Sequence, residues 1–135
     1  MTSKLVLDNL AGRTTAGSIA VVAEGNGTTT NLQQGLAKAW FESETLTNNS
    51  TTTDEDSFNI SGFTDTAAGQ LTPAYTSNFS NTGYSSVSVN GTRSTTISLT
   101  KYNASTSGET ILTYDENDNA YTDVGMCGNY LGDLA

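Results

Sequence analysis

From residue 57 to the end of the chain, apolar and polar positions alternate in short runs. Phe58 and Ile60 begin the pattern, then Leu71, Pro73 and Tyr75, and then YSSVSV at 84–89. Ile97 and Leu99 lead to Lys101 and Tyr102, ILTY follows at 111–114, and residues 121–131 close the chain. The runs are divided by turn residues: Gly62, Ala68-Gly69, residues 81–83, Asn90-Gly91, Ser107-Gly108 and residues 117–119. A two-residue period broken at this spacing predicts roughly six short strands, an all-β fold built as a small antiparallel β-sandwich. Asn90-Gly91 lies between two alternating runs and predicts a tight hairpin there. Pro73 has no N–H to give to a ladder, which predicts an edge strand or a bulge at that position.

The first part of the chain reads differently. Residues 4–10 (KLVLDNL) are a short apolar run, 12–17 a turn-rich break, 18–23 (SIAVVA) a strand candidate, and 24–30 a loop. Two short strands do not stand alone in water, so this opening predicts an extended arm. Residues 31–41 (NLQQGLAKAWF) carry the one helix signal, with Leu32, Leu36 and Trp40 spaced four apart and Asn31 with Gln34 resembling a capping box. Gly35 in its middle costs roughly 1 kcal/mol relative to Ala. One or two helical turns leading into an extended KAWF are therefore expected. Residues 42–56 are almost free of apolar side chains and predict a linker or long loop, where the domain boundary is expected. The expected organisation is an arm with one short helix over 1–45, for docking or oligomerisation, a polar linker over 46–56, and the sandwich over 57–135.

Composition sharpens the fold class. Hydrophobic residues make up 35% and charged residues 14%, while Thr, Ser and Asn fill roughly two-fifths of the chain, well above ordinary usage. These side chains compete with helical backbone hydrogen bonds, and Thr is β-branched and suits a pleated surface. Disorder is disfavoured because the apolar residues are clustered rather than diluted. The formal charge of −9, with five basic residues, provides no basic stripe. Nucleic acid and anionic membrane surfaces are excluded as partners on that ground. No run of apolar residues is long enough to span a bilayer, so no membrane insertion is expected. The start MTSKLVLDNL lacks the apolar core of a secretion signal, so synthesis in a cytoplasm without a cleaved leader is expected.

The absence of His removes Ser-His-Asp and Cys-His chemistry and the commonest metal ligand. Carboxylate chemistry and calcium binding are what remain. Asp54-Glu55-Asp56 reads as a solvated stretch, and Asp65 and Asp133 as isolated turn or terminal acids. Residues 115–123 place Asp115, Asn117, Asn119, Tyr121 and Asp123 at the odd positions of a calcium loop, but Ala120 stands where Gly is needed and Met126 where Glu is needed. A hairpin tip is the plainer reading, with calcium binding left open. Tyr75, Tyr84, Tyr102, Tyr114, Tyr121 and Tyr130 read either as half-buried sandwich wall or as sugar-stacking surface. Cys127 is the sole cysteine, which rules out an intrachain disulfide; beside Val124, Met126 and Tyr130 it reads as a buried, inert thiol. Triplets such as Asn59-Ile60-Ser61 are expected by chance in so Asn-, Ser- and Thr-rich a chain. The sequence assigns no catalytic, cofactor-binding or metal-ligating residue, and predicts a non-enzyme without a cofactor.

Four stretches, MTSKLVLDNLAG, NLQQGLAKAW, DSFNISGFTDTAAG and the terminal GDLA, occur in that order. In them the chain resembles marine, cyanophage-like tail-fibre and virion appendage proteins. Residues 32–40 and 56–65 carry the resemblance best. The chain departs from the pattern after Trp40, at FESETLTNNS, and at Pro73, so strand register is not carried over. LTPAYTSNFSNTGYSSVSVNG is similar to the small trimeric sandwich modules of fibre tips and of some invertebrate lectins. The resemblance implies a virion protein made in the host bacterial cytoplasm, a homotrimer whose arm docks on other virion proteins and whose sandwich faces outward. Host-surface attachment, with a surface glycan as candidate receptor, is the implied role. The chain has no long shaft, so a short appendage, adaptor or knob is expected. Two alternatives stay open: a capsid decoration, cement or head-fibre protein, and a carbohydrate-binding module.

Overall fold

The structure, a computed structural model, describes residues 4–12, 19–22, 29–43, 54–90 and 97–135. The chain forms two compact units, Met1–Leu36 and Ala37–Ala135. In the first, residues 4–12 have no regular secondary structure and are exposed. Strand β1 (Ala20–Val22) pairs antiparallel with β2 (Thr29–Asn31), a strand that the sequence pattern had assigned largely to a loop. A single helical turn, α1 (Leu32–Gly35), follows, and the Leu32 N–H donates to the Ile19 carbonyl at 2.9 Å. Gly35 marks the end of that turn, as its low helix propensity requires.

The second unit is a sandwich of two antiparallel sheets, as the alternating pattern predicts. One sheet has the order β4-β3-β11-β7, from β3 (Ala39–Ser43), β4 (Asp54–Phe58), β7 (Ser85–Asn90) and β11 (Met126–Leu131). The other is built on β9 (Gly108–Asp115). Along one side of β9 runs β8 (Ile97–Ser105); along the other run β6 (Gln70–Tyr75) and then, further on, the two-residue β10 (Ala120–Tyr121). β5 (Ile60–Ala67) lies outside β6.

Four expectations need correction. The boundary does not fall at 46–56: residues 39–43 and 54–58 are strands of the sandwich, paired Trp40 to Phe58 and Glu42 to Asp56, while 44–53 lie outside the described residues. Low apolar content did not signal a linker, because β4 is an edge strand and its Asp56 faces solvent. Asn90-Gly91 does not close a hairpin, since β7 pairs with β11 in one sheet and β8 with β9 in the other; residues 91–96 lie outside the described residues. Pro73 lies neither on an edge strand, because β6 has β5 on one side and β9 on the other, nor at a bulge, because the pairs flanking it keep one register. The β6–β9 pairing registers Leu71 with Ile111 and Ala74 with Gly108, and skips Thr72 and Pro73, which is where a missing N–H is tolerated. The Thr72 and Thr110 hydroxyls bond each other at 2.8 Å across that gap. Gly62 is not a turn but lies within β5 at a shift in register.

The chain crosses from one sheet to the other at Asn59, whose φ of 59° is left-handed. Asn is among the few residues other than Gly that tolerate this conformation. Its side chain fixes the crossing: Nδ2 donates to the Lys38 and Ser77 carbonyls at 2.9 and 3.1 Å, and Oδ1 accepts from the Ser77 N–H at 2.7 Å.

Between the sheets lie Phe41, Phe63, Leu71, Tyr75, Phe79, Tyr84, Ile111, Met126 and Tyr130. Tyr75 stands edge-on to Phe79, Tyr84 and Tyr130, with ring centroids 4.9, 5.9 and 5.3 Å apart. Pairs of this geometry contribute about 0.5–1.5 kcal/mol each beyond the area they bury.

Candidate functional site

The inner faces of the sheets are not wholly apolar. Residues 109, 111, 113 and 115 of β9 all point inward, so Glu109 shares a face with Ile111 and is 1% exposed. Its carboxylate is held by Lys101 from the neighbouring strand, Nζ to Oε2 3.3 Å, and by the Ser86 hydroxyl at 3.2 Å. Lys101 also donates to the Tyr84 carbonyl at 3.1 Å and lies 3.8 Å from the centre of the Tyr84 ring. A small cavity of about 80 Å³ opens beside this pair, lined by Ser86, Ser88, Leu99, Thr100, Lys101 and Ile111.

Three tyrosines surround the acid. The Tyr84 hydroxyl donates within reach of the Ser105 and Gly108 carbonyls, at 3.1 and 3.3 Å. Tyr75 Oη, Tyr130 Oη and Glu109 Oε1 are buried without a hydrogen bond of good geometry, although the Tyr75, Tyr84, Tyr130 and Glu109 side chains crowd one another closely. Burial holds all three phenols protonated far into alkali. Tyr84 is pushed up to about 12, by burial and then by the Glu109 charge. Burial raises Tyr130 as well, with the Glu109 charge next. Tyr75 is raised by burial and by the neighbouring Tyr84 and Tyr130. The cluster is a charged knot inside the core. Sequence reading passed over Glu109, although its parity with Ile111 along an alternating strand marks it as inward.

The acidic run at 115–123 is a hairpin tip. β9 and β10 pair Asp115 with Ala120, and residues 116–119 make the turn. Its oxygens are turned onto neighbouring groups. Asp115 Oδ1 accepts from the Asn117 N–H at 2.9 Å, and Asn119 Oδ1 from the Tyr114 hydroxyl at 2.6 Å. Asp123 Oδ1 reaches the β5–β6 turn and accepts from the Gly69 N–H at 2.6 Å. Among the described residues no three His, Cys, Asp or Glu side chains group as metal ligands. Asp65 is buried on β5, Asp133 is exposed near the terminus, and Asp54, Glu55 and Asp56 belong to strand β4 rather than to a loop, with Asp56 exposed as expected.

The six tyrosines divide. Tyr75, Tyr84 and Tyr130 are core, Tyr102 and Tyr121 are exposed, and Tyr114 stands edge-on to Tyr121 with centroids 5.3 Å apart. Cys127 is not grouped with Val124, Met126 and Tyr130 as its sequence neighbours suggested. Met126, Gly128 and Tyr130 point inward, so the two-residue period of β11 puts Cys127 on the opposite, outward face, where it is half-buried.

That outward face of β4-β3-β11-β7 is a surface feature that the sequence did not disclose. It carries Phe58 and Trp40, paired across β4 and β3, with Val87, Val89 and Leu131, all exposed. The sequence predicts an extended KAWF, and β3 shows one, but the pattern along the chain gives Trp40 no sheet partner. Among the described residues no helix is long and apolar enough to cross a membrane. No family model matches this chain, and neither a curated protein nor a solved structure matches it.

Proposed function

We propose that this chain is a non-enzymatic structural subunit of a bacteriophage particle. In this role it is a short tail-fibre or appendage component, made in the host cytoplasm and assembled as a homotrimer with other virion proteins. The sandwich is presented outward for host-surface attachment. One observation carries the proposal: the N-terminal unit leaves Leu5, Val6, Leu7 and Leu10 between 52% and 80% exposed. A segment so apolar, every one of whose described residues is exposed, is suited to contact with another chain. The ordered resemblance at residues 32–40 and 56–65 supplies the particle.

Quantitative mass spectrometry of purified particles tests it. Low copy number, matched to the tail or its fibres, supports an appendage. A copy number matched to the capsid lattice transfers the chain to the decoration proteins, and absence from the particle overturns the proposal.

A glycan-binding role has one feature in its favour, the Tyr114–Tyr121 pair at the tip of the β9–β10 hairpin, with Tyr121 52% exposed. A glycan array probed with the full chain and with Tyr121→Ala separates specific stacking from none.

A further inference from the structure

A sandwich surface in water is ordinarily polar, and the outward face of β4-β3-β11-β7 is not. Asn129 of β11 is registered between Trp40 and Val87, and Cys127 between Glu42 and Val89. The side chains of β11 here are small. Trp40 and Val87, two strands apart and so roughly 10 Å across, therefore wall a shallow groove of about 350 Å³, floored by Cys127, Gly128 and Asn129. Strand β7 contributes to it in an inverted sense. Val87 and Val89 are 63% and 54% exposed, while Ser86 turns inward to the Glu109 carboxylate. A one-residue slip would have buried the valines and exposed the serines. The register adopted keeps the apolar side out.

Charge narrows what covers this face. Its rim holds Glu42 and Asp56, registered opposite each other, and among its described residues none is basic. Two such faces pressed together would enclose four of these carboxylates in one interface with no basic side chain from the described residues of either face. They would also bring together two sandwiches that each hold the whole −9 excess. The N-terminal unit is the balanced part of the chain, with Lys4 and Arg13 against Asp8 and Glu24. Its 4–10 segment offers Leu5, Val6, Leu7 and Leu10, all exposed, and is formally neutral, with the cation of Lys4 at its start and Asp8 further along it.

We infer that the groove is an assembly surface and that its occupant is the 4–10 segment of a second copy of this chain. The leucines fill the band between Trp40 and Val87, and Lys4 meets the Glu42–Asp56 rim. The contact is head-to-tail, so it closes into a ring or continues as a filament. This deepens the assembly role proposed above by naming the partner of the arm. It is decided in solution, independently of whether a particle carries the chain.

Complementation between two full-length variants tests it by sedimentation velocity. The arm variant is Leu5→Glu with Leu7→Glu; the face variant is Val87→Glu with Val89→Glu. All four positions are exposed, and circular dichroism checks that each variant folds. The wild type self-associates with rising concentration. Each variant alone associates more weakly by roughly tenfold or more. Mixed, they form a heterodimer that stops at two chains, because only one competent arm and one competent face remain. An arm variant that associates as the wild type does would mean face-to-face contact, and overturns the inference. So does a mixture that stays monomeric, or a wild type monomeric at every concentration. Should the double-valine variant fail to fold, Leu131→Glu on the same face takes its place with the same expected outcome.

Discussion

The ring of Phe41 on β3 lies over the backbone of Gly128, its registered partner on β11. A Cβ at position 128 would overlap that ring, so the glycine is there for the phenylalanine: its missing side chain is the space into which Phe41 packs. Phe41 uses that position to stand edge-on to Phe63 of the other sheet, with centroids 5.1 Å apart. Gly128→Ala is therefore expected to destabilise the sandwich by about 1–3 kcal/mol through overpacking. Urea denaturation measures it, and adding Phe41→Leu to the Gly128→Ala variant should recover part of the loss by making room.

The buried tyrosines differ in what their hydroxyls do. Tyr84→Phe removes a donor near the Ser105 and Gly108 carbonyls and should cost about 1 kcal/mol. Tyr130→Phe removes a buried hydroxyl with no hydrogen bond of good geometry, its approach to Glu109 and Tyr75 being marginal, and should be neutral or stabilise by about 1 kcal/mol. Thermal unfolding of the two variants checks the contrast. Equal losses would mean that Tyr130 is as well satisfied as Tyr84.

Stability should fall in alkali. Below about pH 10 these phenols are protonated in both folded and unfolded chains and contribute no pH dependence. Above it the unfolded chain releases protons that Tyr75, Tyr84 and Tyr130 retain when folded, so rising pH favours unfolding. The slope reaches about 1.4 kcal/mol per pH unit for each phenol. For Tyr84 that loss runs from about 10 up to its folded value of about 12. Denaturant midpoints measured against pH should show the decline, and Tyr84→Phe should flatten it. A midpoint unchanged across that window would contradict the burial of the cluster.

Asp123 occupies the ninth place of the calcium-loop pattern, and the structure gives its carboxylate to the Gly69 N–H instead. Gly69 has a φ of 69° and sits against Thr113 and Thr122; this bond ties the β5–β6 turn to the segment after β10, while the Thr113 N–H, donating to the Gly69 carbonyl at 2.9 Å, ties it to β9. Asp123→Ala should cost about 1.5–3 kcal/mol, the usual worth of a hydrogen bond to a charged group. Millimolar calcium should leave the wild-type melting temperature unchanged, whereas a marked upward shift would restore the ion-binding role.

The all-β class was legible because Leu71, Pro73 and Tyr75, or Ile111 and Thr113, keep strict parity along their strands. Turns were legible where local chemistry decides them, as at Ala68-Gly69 and the 116–119 tip. Strand partners were not. Asn90-Gly91 looked like a local hairpin, yet β7 is claimed by β11 from the far end of the chain, in a register that sets Ser85 against Leu131. β4 was missed because Asp54, Glu55 and Asp56 have little strand propensity, and pairing with β3 overrides it. The Glu109 cluster needed the third dimension, since Lys101, Ser86 and the three tyrosines come from separate strands and one connecting segment. The apolar outer face was spread over four strands, with no more than two of its large residues on any one of them.

The central claim is that this chain is an external structural part of a phage particle. Gold-labelled antibody against the chain, applied to purified particles and viewed by electron microscopy, tests it most directly. Label on the tail or its fibres is the result predicted here. Label over the head would place the chain among decoration proteins, and particles without label would contradict the virion role altogether.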